Sequence, residues 1–159
     1  DVAEQDPIKY HGVKGVGSNG KLKKSVKPGV PSFQDVFGHL TCEIARNRKD
    51  TICITAAMRE GTGLVPYAKE FPGRYFDVGI AEGHGVTFAA GVVTENIRPI
   101  VAIYSTFLQR AYDHVVHDVA IQHLPVVFCM DRSGIAGEDG PTHHGALDKI
   151  GRASCRERV

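Results

Sequence analysis

Four short apolar runs, each alternating with segments of helical periodicity, constrain the fold of this chain most strongly. They predict strands at Thr51–Thr55, Arg74–Val78, Pro99–Tyr104 and Pro125–Met130. Strands that alternate with helices are typical of βαβ units and of a parallel sheet. Because these strands are apolar on both sides, we expect helices to cover both faces of the sheet. The sequence therefore predicts an α/β fold with a mainly parallel sheet.

The intervening segments predict helices that begin near Phe33 and extend over Leu64–Phe71, Ala81–Thr94 and Phe107–Gln122. A complete doubly wound sheet usually has five or six strands. With only four strands predicted, the domain is expected to be incomplete. We expect residues 1–31 to form a linker, residues 32–149 the domain, and the arginine-rich residues 150–159 a non-native tail.

Composition excludes several classes of function. The formal net charge of +1 gives no strong attraction to nucleic acid or to an anionic membrane surface. No apolar run approaches the ~20 residues of a membrane helix. The four cysteines form no C-x-x-C pair, which argues against a zinc site and favours a reducing cytoplasm.

Glu82 stands where a predicted strand gives way to a helix, in the run Asp77-Val-Gly-Ile-Ala-Glu82. Ligands of open α/β sheets bind at the carboxyl ends of the strands, so a reactive carboxyl group is expected here. A carboxylate at a helix N-terminus is also stabilised by the helix dipole, which is the competing structural interpretation. Spacing alone leaves both open.

Tyr104, Phe107 and Arg110 fall at the next strand-to-helix junction. An aromatic ring there can stack on a planar ligand, and an arginine can bind a phosphate. The competing interpretation makes Phe107 a core residue and Arg110 a surface residue.

A long, glycine-rich polar loop from Asp131 to Gly145 follows the fourth predicted strand. Long loops in compact domains are often functional, and His143 and His144 can donate hydrogen bonds or transfer protons. His114 and His117 have a spacing that can bind metal. They lack the H-E-x-x-H pattern, so an exposed helix face is the preferred interpretation.

Long contiguous stretches of the chain, from near Asp6 to near Asp148, resemble the 1-deoxy-D-xylulose-5-phosphate synthases, thiamine-diphosphate enzymes of the transketolase superfamily. The most specific stretches are Arg74–Glu82, Val86–Gly91, Ile103–Asp113, Val116–Asp118 and the loop Asp139–His143. Matches of this length are far more specific than any single motif. The resemblance implies the transketolase-like pyrimidine-binding fold.

The resemblance also implies roles for the candidate residues. Glu82 corresponds to the catalytic glutamate that hydrogen-bonds N1′ of the cofactor's aminopyrimidine, and Phe107 to the aromatic residue that stacks on that ring. The implied substrate-binding residues are Tyr104, Arg110, Arg132 and Asp139. The implied catalytic histidines are His143 and His11.

The implied reaction condenses pyruvate with glyceraldehyde 3-phosphate, with loss of CO2, for isoprenoid, thiamine and pyridoxal biosynthesis. The implied cofactors are thiamine diphosphate and Mg²⁺. The Mg²⁺ ligands are expected in an N-terminal domain that this sequence lacks, so no metal ligand is predicted here and the fragment alone is predicted to be inactive. The resemblance further implies a cytoplasmic homodimer as the full-length enzyme, without nucleic-acid or membrane partners.

Two positions depart from the family pattern, and two alternatives stay open. Gly83 and Gly85 stand where the family usually has Gln and Ala, and each is expected to loosen the helix start by ~1 kcal/mol relative to Ala. The alternatives are another transketolase-like enzyme and an inactive, truncated α/β module.

Overall fold

The computed structural model describes residues 2–5, 7 and 29–148 and divides the chain into two units, residues 1–32 and 33–159. The first unit contains the short helix α1 (Val2–Gln5). His11 and the tail at 150–159 lie outside the described residues, so the predictions made for them stay predictions.

The second unit alternates strands with helices, as predicted. In chain order its main elements are α2 (Phe33–Asn47), β1 (Thr51–Thr55), α3 (Val65–Glu70), β2 (Tyr75–Asp77), α4 (Glu82–Thr94), β3 (Arg98–Tyr104), a mixed helical segment (Ser105–Ala120) and β4 (Val127–Asp131). Short 3₁₀ turns precede β2 and follow β4. In the described ranges no helix is both long and apolar enough to cross a membrane.

The four strands form one parallel sheet in the order β2-β1-β3-β4. Thr55, at the end of β1, lies opposite Asp77 and Ala102, and Tyr104, at the end of β3, lies opposite Asp131. Parallel pairing brings the carboxyl ends of all four strands to one edge of the sheet. The predicted functional junctions therefore meet at that edge.

Successive residues of the central strands point to opposite faces, and each face has its own apolar core. Ile54 and Ile103 pack with residues of α4 on one face. Cys53 and Ala102 pack with residues of α2 and α3 on the other. Both faces are thus covered, which explains why the strand sequences are apolar throughout.

The apolar spacing of α2 correctly predicted a helix but does not mark the face that packs on the core. Four of its apolar residues are exposed to solvent: Phe33, Val36, Leu40 and Ile44. The buried face instead carries small residues: Gly38, Thr41, Cys42 and Ala45. A Cβ atom on Gly38 would lie 2.2 Å from the carbonyl oxygen of Gly63, so only glycine permits this approach.

The single helix predicted over Phe107–Gln122 is wrong in its bounds and in its regularity. The segment comprises α5 (Ser105–Leu108), a 3₁₀ turn (Gln109–Ala111), α6 (Tyr112–His114) and a π-helix (Val115–Ala120). Apolar spacing cannot distinguish these turn sizes. π-Helical turns are rare in proteins as a whole, and those that occur are often found at functional sites.

Candidate active site

The turn between β2 and α4 places Glu82 at the first position of the helix. Asp77 organises this turn, since its Oδ1 accepts hydrogen bonds from the backbone N–H groups of Ala57 at 2.8 Å and Gly79 at 3.0 Å. Gly79 has φ +70°, a conformation that favours glycine. Glu82 itself is only 3% exposed. A buried carboxyl group therefore lies at the carboxyl edge of the sheet, as predicted from the sequence.

Arg110 is the ion-pair partner of this carboxyl group. Its Nη1 atom donates a hydrogen bond of 2.7 Å to Oε1 of Glu82. The guanidinium carbon lies 5.1 Å from the centroid of the Phe107 ring, within the range of a cation–π contact. The side chain of Arg110 is 58% exposed, so the pair joins a buried acid to a solvent-accessible cation.

Phe107 belongs to a cluster of three rings. Tyr104 stacks beside it, with ring centroids 5.7 Å apart and an interplanar angle of 20°. His143 approaches its edge, with centroids 5.1 Å apart and an angle of 70°. The loop after β4 thus contacts the helical segment after β3 through the ring of His143.

Tyr104 is buried at the end of β3 and lies under the guanidinium of Arg132, whose central carbon is 3.8 Å from the ring centroid. Burial raises the pKa of the Tyr104 hydroxyl, and the positive charge of Arg132 offsets this only in part. The phenol is therefore neutral at physiological pH and can donate a hydrogen bond.

Arg132 has φ +57°, a left-handed conformation that is uncommon for a residue with a side chain. Two carboxylates bind its guanidinium: Asp131 through Nη1 at 2.6 Å, and Asp139 through Nε. Nη1 also donates to the carbonyl oxygen of Gly61 at 3.3 Å. The predicted substrate-binding arginine is therefore already bound to acidic groups of its own chain.

These contacts connect all the candidate site residues that lie in the described part of the chain. Glu82 pairs with Arg110, and Arg110 lies over Phe107. Phe107 contacts Tyr104 and His143. Tyr104 lies under Arg132, which pairs with Asp139. His144 does not join these contacts. Its Nδ1 accepts a hydrogen bond from the backbone N–H of Ala136 and so links two parts of the loop after β4.

Comparison with known proteins identifies the family. The family described as the transketolase pyrimidine-binding domain matches residues 30–149. The chain belongs to this family.

Two curated relatives of this pyrimidine-binding domain are named 1-deoxy-D-xylulose-5-phosphate synthase. The 1-deoxy-D-xylulose-5-phosphate synthase of Methylococcus capsulatus is 56% identical over 146 residues, which are 92% of this chain and 23% of the relative. The synthase of Methylibium petroleiphilum is 57% identical over 147 residues, again 92% of this chain and 23% of the relative. The chain thus spans less than a quarter of the length of these two proteins.

A solved structure supports the fold of the pyrimidine-binding domain. It is described as a split-gene transketolase, an inactive β4 tetramer, and it matches with a TM-score of 0.56 at 24% identity. The match covers 61% of this chain and 33% of the other. At this level of identity the match concerns the fold alone.

The residues of the domain fit the pyrimidine end of thiamine diphosphate. The buried carboxyl of Glu82 can exchange a proton with a ring nitrogen, and the half-buried ring of Phe107 offers a stacking surface. No group of three or more His, Cys, Asp and Glu side chains within the described residues could hold a metal ion.

Sequence reasoning missed several residues that shape the site. Asp131 ends β4 and binds both Arg132 and the side-chain amide of Gln34, at 3.1 Å. The strand-end rule that selected Glu82 could have selected it too. Asp148 is 7% exposed and accepts a hydrogen bond of 2.9 Å from Gln109. No local pattern in the sequence marks that contact.

Proposed function

We propose that this chain supplies the pyrimidine-binding domain of a 1-deoxy-D-xylulose-5-phosphate synthase. The observation that carries the proposal is the buried carboxyl of Glu82, joined through Arg110 to the ring of Phe107, in a chain that is 56% identical to a protein of that name. The proposed reaction joins pyruvate and glyceraldehyde 3-phosphate to form 1-deoxy-D-xylulose 5-phosphate and CO2.

Thiamine diphosphate, when bound, supplies an electron sink for the decarboxylation of pyruvate. Glu82 would hold a proton at N1′ of the aminopyrimidine, which requires a carboxyl group that keeps its proton. Its 3% exposure supports this role, because the contact would be shielded from water. Phe107 would fix the plane of the ring by stacking.

The loop after β4 would bind the acceptor substrate. Arg132 is suited to its phosphate because a guanidinium binds phosphate through two parallel hydrogen bonds. His143, next to Phe107, is suited to proton transfer at the aldehyde oxygen, and the neutral phenol of Tyr104 can donate a hydrogen bond to substrate. Asp139 competes with the phosphate for Arg132 and would tune its affinity.

The remaining parts of the proposal concern the whole protein. We infer that Mg²⁺ and the diphosphate are bound by a domain other than this one, and that the intact enzyme is a cytoplasmic homodimer. These inferences rest on the resemblance to the synthase family and on the short share of the relatives' length that the chain spans.

A chimeric enzyme tests the proposal. Residues 30–149 would replace the matching segment of the Methylococcus capsulatus synthase, which would be assayed with pyruvate and glyceraldehyde 3-phosphate. We expect product formation, and a loss of ~10²–10⁴-fold for Glu82→Gln with an unchanged circular dichroism spectrum.

Two outcomes would contradict the proposal. A Glu82→Gln chimera with near-normal turnover would remove the assigned acid. A folded chimera that accepts a ketose phosphate as donor instead of pyruvate would favour a different transketolase-like enzyme.

A further inference from the structure

Arg110 contacts both Glu82 and Phe107, the two residues assigned to the flat, nitrogen-containing ring of the cofactor. The Arg110 guanidinium donates to Glu82 at 2.7 Å and lies over the face of Phe107, 5.1 Å from the ring centroid. Glu82 and Phe107 are the two residues assigned above to the aminopyrimidine, by hydrogen bond and by stacking respectively. Arg110 therefore lies where that ring would bind.

The chemistry of the two groups explains why one can stand in for the other. A guanidinium is planar and delocalised, donates N–H hydrogen bonds to a carboxylate, and is attracted to an aromatic face. An aminopyrimidine is also planar, hydrogen-bonds a carboxyl group through ring and amino nitrogens, and stacks on an aromatic ring. We expect the two groups to compete, because both would hydrogen-bond Glu82 and stack on Phe107.

The two partners differ in their freedom to move. Glu82 is 3% exposed and is held at the start of α4, whereas the Arg110 side chain is 58% exposed on a long, flexible stem. Exchange therefore requires only that Arg110 swing out toward solvent. Arg110 stabilises the carboxylate of Glu82, because a buried carboxylate without a partner is costly.

We propose that Arg110 is an internal competitor of the aminopyrimidine: it forms an ion pair with Glu82 and must leave that pair before the ring binds. This inference rests on the proposed function, because the competing ligand is the ring of thiamine diphosphate. It gives Arg110→Ala two effects of opposite sign. The unliganded protein becomes less stable, while its affinity for the ring increases.

The probe is 4-amino-5-hydroxymethyl-2-methylpyrimidine, the ring portion of the cofactor without its thiazolium and diphosphate. Binding to the 159-residue chain would be followed by NMR on phenylalanine-labelled protein, with the Phe107 signal assigned through Phe107→Leu. We expect a dissociation constant about fivefold lower for Arg110→Ala than for the wild type. Arg110→Lys, which keeps the charge but loses the planar group, should fall between them.

Arg98→Ala is the matched control. Arg98 is an exposed, ion-paired arginine at the opposite end of β3, bound to Asp50 at 3.2 Å. Its removal should leave the affinity for the probe unchanged. Added salt provides a second control, because it screens the Glu82–Arg110 pair. Salt should therefore tighten binding of the probe in the wild type and leave it unchanged in Arg110→Ala.

The outcomes separate this inference from the proposed function. If the wild type binds the probe, Glu82→Gln does not, and Arg110→Ala binds equally or more weakly, Arg110 is not a competitor although the pyrimidine site stands. If the probe shifts the Phe107 signal in neither the wild type nor Arg110→Ala, the pyrimidine site itself is refuted and the inference falls with it.

Discussion

The ring of His114 lies against Gly83 so closely that a Cβ atom on residue 83 would be 2.8 Å from Cε1 of the histidine. The Nδ1 atom of His114 is buried and has no hydrogen-bond partner among the described residues. Arg110 and His114, one helical turn apart, therefore both contact the first turn of α4. The mixed helical segment thus fixes the start of the helix that carries Glu82.

This contact makes Gly83→Ala destabilising, although helix propensity alone predicts the opposite. The added methyl group must displace the His114 ring, so we expect a loss of ~1–3 kcal/mol in the free energy of unfolding. The expectation that Gly83 merely loosens the helix start is thus incomplete. Urea denaturation of Gly83→Ala, His114→Ala and the double variant would measure the coupling between them.

Gly91→Ala is the control for this cycle. No atom lies within 4 Å of a Cβ at Gly91, so the substitution should stabilise α4 by up to ~1 kcal/mol. If Gly83→Ala stabilises the protein to the same degree, the His114 ring moves without cost and the contact does not position Glu82.

The second prediction concerns Gly61, which makes room for Tyr104. A Cβ atom on Gly61 would lie 1.6 Å from the hydroxyl oxygen of Tyr104 and 2.7 Å from the ring carbon that bears it. Gly61→Ala should push the phenol out of its stack with Phe107 and away from Arg132, at a cost of ~1–3 kcal/mol. Thermal unfolding would measure the cost, and the ring signals of Tyr104 and Phe107 would report the displacement.

Gly73→Ala is the matched control, since no atom lies within 4 Å of a Cβ there. Tyr104→Phe in the Gly61→Ala background should restore only part of the stability, because the ring carbon still clashes. Full restoration of the stability would show that only the hydroxyl group of Tyr104 clashes with the added methyl group.

The third prediction concerns the charge on Arg132, which Asp131 and Asp139 both neutralise. Asp139→Asn removes one competing carboxylate, so inorganic phosphate should bind about threefold more tightly. Arg132→Met should abolish the binding. Isothermal titration calorimetry with phosphate would measure both effects.

Asp113→Asn makes the same change in net charge at an exposed position paired with His117. An equal gain in phosphate affinity for Asp113→Asn would mean that net charge, and not release of Arg132, is responsible.

The fourth prediction concerns alkaline pH. Burial raises the pKa of the Cys53 thiol to about 12. In the unfolded chain the thiol titrates near ~8.5, so between that pH and 12 the folded state retains a proton that the unfolded state has lost. Stability is therefore complete below pH ~8.5 and falls as pH rises, by at most ~1.4 kcal/mol per pH unit for this one proton.

Urea denaturation between pH 8.5 and 10 would test this, in a range below the ordinary pKa of tyrosine. Burial also raises the pKa values of Tyr67 and Tyr75, which add to the slope only at higher pH. Burial also raises the pKa values of the Cys42 and Cys129 thiols, which contribute to the slope in the same range. Cys53→Ala should therefore reduce the slope without abolishing it, whatever it does to the absolute stability. A variant with the wild-type slope would exclude Cys53 as its source.

Most of the fold could be predicted from the sequence, because the apolar runs that form strands and the helical segments between them are local signals. Their alternation along the chain indicates a parallel sheet. The strand ends were predicted within a few residues, and with them the edge at which Glu82, Tyr104 and Arg132 meet. The face of α2 was not predicted, because its packing depends on the backbone contact between Gly38 and Gly63, which are far apart in the chain. The π-helical turn and the Glu82–Arg110 pair likewise arise from tertiary packing.

The strand order has a consequence for how this protein folds. Glu82 follows the edge strand β2 and Arg132 follows the opposite edge strand β4, while β1 and β3 lie between them. No stretch of neighbouring residues contains the site, and an intermediate that lacks either edge strand lacks one half of it. Contacts between distant parts of a chain form slowly, so ligand recognition should emerge with the last strand to join the sheet.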